Sequence, residues 1–256
     1  MRSEQPGTPG GPETELDRAW ERAVGPWLDR PGPLVVLFSG GVDSGLLAWE
    51  LRDRPRTTLF TVGLPEATDL AAARSAAERI GLSWQGRELD EPTLRTIAGE
   101  LASDLEAVPS PRRGIFVALA CAIALAPDAP LLCGQGADEL FLGYAHFRGL
   151  APDAAQRRAH DDLDRLREDD LPRCVAFAAR HGRTLVAPFL EPEFVRAVER
   201  IPIADRLPRE VAKPALRRLA QRRGLPEAIA RAPKRAIQYG SGVDRWLRHA
   251  ARGAGD

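Results

Sequence analysis

Two short turns carry most of the chemistry open to this sequence. The first is Ser39-Gly40-Gly41-Val42-Asp43-Ser44, directly after the apolar run Leu34–Phe38. Glycines allow a tight turn and close backbone approach to an anion. Hydroxyls and free amides at the start of a helix then hold phosphate oxygens. Asp43 would repel a phosphate, so its chemistry suits a Mg²⁺ ion that bridges phosphates. No GK[ST] follows, so the spacing is not that of a Walker loop. The competing reading is an ordinary strand-to-helix turn capped by Ser or Asp. The second turn, Gly134-Gln135-Gly136-Ala137-Asp138-Glu139-Leu140-Phe141 with Gly143-Tyr144 behind it, follows Leu131–Cys133. Two adjacent carboxylates at the carboxyl end of a strand suit a metal site, with Asp138 as second Mg²⁺ ligand. Read alone, these residues fit a plain turn with a carboxylate cap equally well.

Among 36 basic residues only Lys213 and Lys234 are lysine. A genome biased toward arginine codons accounts for the other positions, where either side chain serves. Lysine is a compact point charge and arginine a planar fork, so a retained lysine suggests a place where a fork does not fit.

The elements needed to position these turns can be read from periodicity. Leu34–Phe38 reads as a strand buried on both faces, as in a parallel sheet. Leu46–Leu51 reads as a helix, Thr57–Val62 as a second strand and Asp69–Ile80 as an amphipathic helix capped by Gly81. Ser83–Arg87 follows as a strand, Pro92–Leu105 as one amphipathic helix, Gly114–Ala126 as a buried helix and Leu131–Cys133 as a short strand. Strands alternating with helices imply a doubly wound, mainly parallel α/β sheet. Beyond residue 150 the pattern turns helical, over Ala154–Arg167, Leu171–His181, Pro192–Arg200, Val211–Arg223 and Gly242–Arg252, punctuated by prolines. The expected organisation is a tail and leading helix over 1–30, an α/β core over 31–150 and a helical lobe over 151–256 that completes the site. Met1–Pro12, rich in Gly and Pro, reads as a disordered tail.

Formal net charge is zero, so no global basic field attracts nucleic acid or an anionic membrane. No apolar run approaches the roughly 20 residues that span a bilayer. Cys121, Cys133 and Cys174 are odd in number and lack CxxC spacing, against a disulfide framework or zinc site. A reducing cytoplasm is the expected setting. His146, His160, His181 and His249 show no ligand spacing, and the five tryptophans are scattered as packing residues.

With the motifs taken in order, the chain resembles the synthetase domain of asparagine synthetases and β-lactam synthetases, the N-type ATP pyrophosphatases. The resemblance rests on SGGVDS and GQGADELFLGY, then on Arg183–Glu191, Lys213-Pro214-Ala215-Leu216-Arg217 and Leu225–Gly242. It implies the PP-loop fold of the adenine nucleotide alpha hydrolase-like class. It also implies an ATP-dependent ligase that adenylates a carboxylate, aspartate or a related acid, releases pyrophosphate and passes the acyl group to ammonia or an amine. By resemblance, Ser39, Gly40, Gly41 and Ser44 cradle pyrophosphate, with Gly134 and Gly136 shaping the second turn. Asp43 and Asp138 hold Mg²⁺, Glu139 stands beside them, and Thr61-Val62-Gly63-Leu64 packs around adenine. Lys234 corresponds to the lysine that stabilises the reacting phosphates, and Lys213 also falls in a matching segment, with an exposed helix position as its plain alternative. Arg112 and Arg113 lie toward the implied substrate side, either as carboxylate ligands or as a solvated loop.

Three departures limit the transfer. Gln135 stands where the family usually has Glu, and its amide cannot act as a base. The glutaminase domain is absent from these 256 residues and residue 2 is Arg, not Cys. Nitrogen is therefore expected from ammonia, an amine or a separate glutaminase subunit. The stretch from Phe147 to Arg183 is shorter than the family's. Two other readings compete: a tRNA-modifying PP-loop pyrophosphatase, disfavoured by neutral charge and cysteine spacing, and a nucleotide-binding regulatory homologue impaired at Gln135.

Overall fold

The structure, a computed structural model, describes residues 11–65, 67–208, 210–232 and 241–253. Met1 to Gly10 lie outside the described residues. Pro12, expected in the tail, instead opens helix α1 (Pro12–Leu28), where a missing N–H costs nothing at the first turn. Leu16, Ala19, Trp20, Ala23 and Val24 recur at helical spacing and form its buried stripe.

Strand β1 (Leu34–Leu37) has every residue buried. Leu34 and Val36 face one core, Val35 and Leu37 the other, as a strand covered on both sides requires. Helix α2 (Val42–Glu50) starts four residues before the apolar pattern suggests, so Asp43 and Ser44 belong to its first turn. Strand β2 (Thr57–Gly63), helix α3 (Thr68–Ile80, with Gly81 left-handed at its C-cap) and strand β3 (Ser83–Glu88) follow close to expectation. The single helix expected over Pro92–Leu105 is two, α4 (Glu91–Glu100) and α5 (Ala102–Ala107). Buried Leu101, at φ −95° and ψ 2°, joins them outside helical dihedrals. Helix α6 (Ser110–Leu125), strand β4 (Leu131–Leu132) and the short helix α7 (Ala137–Leu140) complete this half.

Helix α8 (Pro152–Arg165) runs through a π-helical turn, Leu166–Asp170, into α9 (Leu171–Arg180). Strand β5 (Leu185–Val186) is not legible in a stretch that reads as helical, because two residues are too short for a period. Helices α10 (Pro192–Glu199), α11 (Ile203–Arg206), α12 (Pro214–Arg222), α13 (Glu227–Ala230) and α14 (Val243–Gly253) follow.

All five strands are parallel, in the order β3-β2-β1-β4-β5. This is the doubly wound α/β sheet expected from the sequence, with a core on each face. One core gathers side chains from α1, α2, α3, α10 and α12, and the other from α4, α6 and α9. Chain order reverses between β1 and β4, so the crevice beyond their carboxyl ends is where such a sheet takes a ligand. No helix among the described residues is long and apolar enough to cross a membrane.

Candidate active site

Both chemistry-bearing turns open at that reversal. After β1, the Phe38 carbonyl accepts from Thr61 Oγ1 at 2.6 Å, which ties the loop to β2. The Ser39 amide donates to Ser44 Oγ at 3.1 Å, and the two hydroxyl oxygens lie 3.2 Å apart. Gly40 has φ +74°, and a Cβ there would sit 2.9 Å from the Ala72 carbonyl oxygen. Only glycine fits that turn without moving backbone. Gly41 caps α2, so Ser44 and Asp43 stand at a helix start where negative charge is favoured.

After β4, Gly134 packs against Asp43, with 3.1 Å to its Cβ from an added methyl. Gly136 has φ +93° and caps α7, which carries Asp138 and Glu139. Gln135 lies half-buried between these glycines. The neighbouring Cys133 thiol is pushed up to about 12 by burial, which disfavours the thiolate; Cys121 and Cys174 are likewise buried and free.

The two turns meet on Lys213. Its Nζ lies 2.5 Å from Asp43 Oδ2 and 2.7 Å from Asp138 Oδ1. The side chain is buried, not on an exposed helix face, which overturns the plain reading of this residue. Burial opposes its charge, but Asp138 and Asp43 outweigh burial and hold the ammonium above the usual lysine range. Its backbone is left-handed, at φ 58° and ψ 50°, immediately before Pro214. A side-chain-bearing residue in that conformation is strained, and the surrounding contacts must hold it there. Gly143 makes room for the triad: a Cβ there would lie 1.9 Å from Asp138 Oδ1 and 2.2 Å from Lys213 Cε.

Glu139 accepts from the Tyr144 hydroxyl at 2.5 Å. Burial, with the Asp138 charge second, pushes its carboxyl up to about 7. Sequence reasoning gives Arg217 no role, although it closes the Lys213 motif. Its fork donates to the carbonyls of Ala212 at 2.7 Å, Ala230 at 2.5 Å and Ala232 at 2.9 Å. It thereby fixes the backbone that leads into Lys213 and the backbone that leads toward residue 233. The arginine at a fixed spacing from Lys213 is the signal that could have found it.

Val62 and Gly63 end β2 beside the site, and the Leu64 amide donates to the Ser241 carbonyl at 2.8 Å. Lys234 lies in 233–240, outside the described residues. Arg112 pairs with Asp170 of the π-helical turn, and Arg113 donates to the Val108 carbonyl at 2.9 Å. Neither arginine contacts the triad in the hydrogen bonds and ion pairs of the described residues.

The asparagine synthase family profile matches residues 15–159 and 148–254. The protein named putative asparagine synthetase (glutamine-hydrolyzing) 1 from Methanocaldococcus jannaschii is 27% identical over 276 residues, covering 93% of this chain and 51% of that protein. Asparagine synthetase (glutamine-hydrolyzing) from Mesocricetus auratus is 27% identical over 247 residues, covering 89% of this chain and 43% of that protein. A solved structure of NMN synthetase from Francisella tularensis aligns at a TM-score of 0.45 with 14% identity, over 93% of this chain and 87% of that one, a likeness too weak to add to the fold described above. The chain spans about half the length of the curated relatives it matches. With both motif turns meeting at the reversal of the sheet and a family match running from residue 15 to residue 254, the chain belongs to the asparagine synthase family.

Proposed function

We propose that this chain is an ATP-dependent carbon–nitrogen ligase that activates a small carboxylic acid, aspartate or a close relative, as an acyl-adenylate. The observation that carries the reading is the convergence of Asp43 and Asp138, one from each motif turn, on a single buried cation position at the sheet reversal. In the reaction a carboxylate oxygen attacks the α-phosphorus of ATP and pyrophosphate departs. An amine nitrogen, simplest as ammonia, then attacks the acyl carbon and AMP departs.

The donor set fits Mg²⁺. Two carboxylate oxygens within 2.5 and 2.7 Å of one nitrogen converge on a space of ionic size. Mg²⁺ is commonly bound by one or two carboxylates together with substrate phosphates. Bound there, it would neutralise phosphate oxygens as negative charge shifts to the leaving pyrophosphate. Ser39, Ser44 and the amides at the start of α2 would hold the phosphates themselves. Val62 and Gly63 would border adenine, and Lys234 would supply positive charge where negative charge develops in the transition state. Gln135 cannot take a proton, so the attacking nitrogen must arrive as the free base or lose its proton to another group. The nitrogen source is ammonia, an amine, or ammonia passed on by a separate glutaminase subunit.

ATP–pyrophosphate exchange, screened over carboxylic acids from aspartate outward, tests the reading. Exchange should appear with one acid or a narrow set and vanish in Asp138→Asn. A folded preparation that binds ATP yet exchanges with no acid would overturn it.

A further inference from the structure

We propose that Lys213 is a positioning residue that couples metal entry to nucleotide entry. Its ammonium stands between Asp43 and Asp138 as a resident counterion. A divalent cation takes that place only together with a polyphosphate that accepts the displaced ammonium. The inference rests on the Mg²⁺ reading above and adds an order of events to it.

Three features of the site carry it. First, the ammonium touches both carboxylates that the metal would need, at 2.5 and 2.7 Å, so metal and ammonium compete for the same oxygens. Second, Lys213 cannot retreat to solvent. Its side chain is buried, its stem passes so close to Gly143 that an added Cβ would fall 2.2 Å from Cε, and its backbone is locked before Pro214. A displaced ammonium must stay inside the crevice, and an unpaired buried charge is costly. Third, the first turn of α2 lies within the same crevice, with the Ser39 and Ser44 hydroxyls 3.2 Å apart. A polyphosphate seated there supplies the negative charge that the ammonium loses. Free metal without polyphosphate brings no such partner, so it meets the full cost of displacing Lys213.

Mn²⁺ binding, read by electron paramagnetic resonance on the full chain, tests this without turnover. The nucleotide is α,β-methylene ATP, which cannot release pyrophosphate. The wild-type chain should bind Mn²⁺ weakly alone and much more tightly with the analogue. Lys213→Met should bind Mn²⁺ alone about 10-fold or more tightly than wild type, and the tightening by analogue should shrink by at least as much, because no ammonium then has to be moved from the carboxylates to the polyphosphate. Should Lys213→Met fail to fold, Lys213→Gln retains an N–H donor for the carboxylates and serves the same comparison. Unchanged or weaker Mn²⁺ affinity in a folded Lys213→Met or Lys213→Gln chain would overturn the proposal. Asp138→Asn in the Lys213→Met background should abolish the gained site. If the gain survives that change, the metal is not held by these aspartates, and the Mg²⁺ reading itself fails.

Discussion

Two charge clusters in this molecule are built from similar groups and do different work. On the surface, Glu13, Asp17 and Glu21 of α1 meet Arg218, Arg222 and Arg223 of α12 and its C-cap, and Glu15 meets Arg200. Glu13 and Arg218 keep nearly half their side-chain surface exposed. At the sheet reversal, Lys213 is 2% exposed and joins Asp43 and Asp138, each about a quarter exposed. Water screens the outer pairs of the first cluster, Glu13 with Arg218 and Glu15 with Arg200, and arginine serves at every cationic position named there. The second admits lysine, because a point charge on a thin stem passes Gly143 and contacts two carboxylates at once, where a guanidinium is broader. An arginine-rich chain keeps a lysine where geometry, not charge alone, decides the residue.

Breaking the buried cluster should produce the largest effect. Lys213→Ala leaves two carboxylates facing each other and should lower stability by about 3–5 kcal/mol, the cost of breaking a buried ion pair. Urea unfolding measures it, and a loss below about 1 kcal/mol would place the triad with the surface pairs. The other lysine sharpens the contrast. If Lys234 supplies charge to the transition state, Lys234→Ala should slow pyrophosphate release about 10²–10³-fold, the effect of removing one preorganised donor. ATP affinity should change far less, since an interaction confined to the transition state leaves ground-state binding intact. Near-normal turnover would end that role.

Glu139 extends the comparison to pH. Its folded value, about 7, lies above the ordinary carboxylate range because burial disfavours the anion. Between about 4.3 and 7 the unfolded chain has released a proton that the folded chain still holds. The stabilisation from this group is therefore complete below about 4.3 and is lost as pH rises through 7. The difference in urea midpoint between the metal-free wild type and Glu139→Gln should drift against the wild type over that window. A difference that stays constant with pH would show that Glu139 titrates normally. The smallest effect belongs to the surface. Glu13→Gln should cost less than about 1 kcal/mol. At 1 M salt, where the Debye length is about 3 Å, that cost should disappear while the Lys213 effect persists.

Much of this site is legible in short stretches of sequence. SGGVDS after an apolar run, and GQGADEL after another, place hydroxyls, glycines and carboxylates at strand ends through rules that act within a few residues. Alternating strands and helices announce the parallel sheet for the same local reason. What the sequence leaves open is long-range. Asp43 and Lys213 are 170 residues apart, and neither can reveal that the other neutralises it. Lys213 lies at the start of a helix with charged faces, and that setting makes it look exposed. Burial depends on what packs over it, in this case Gly143 and the two aspartates. Strand β5, two residues long, owes its place to hydrogen bonds with β4, far away in the chain. The types of residue and their local turns were determined by the sequence itself. Which of its charges meet, and how dry the meeting place is, was decided by the tertiary structure, because burial and ion pairing depend on elements that only folding brings together.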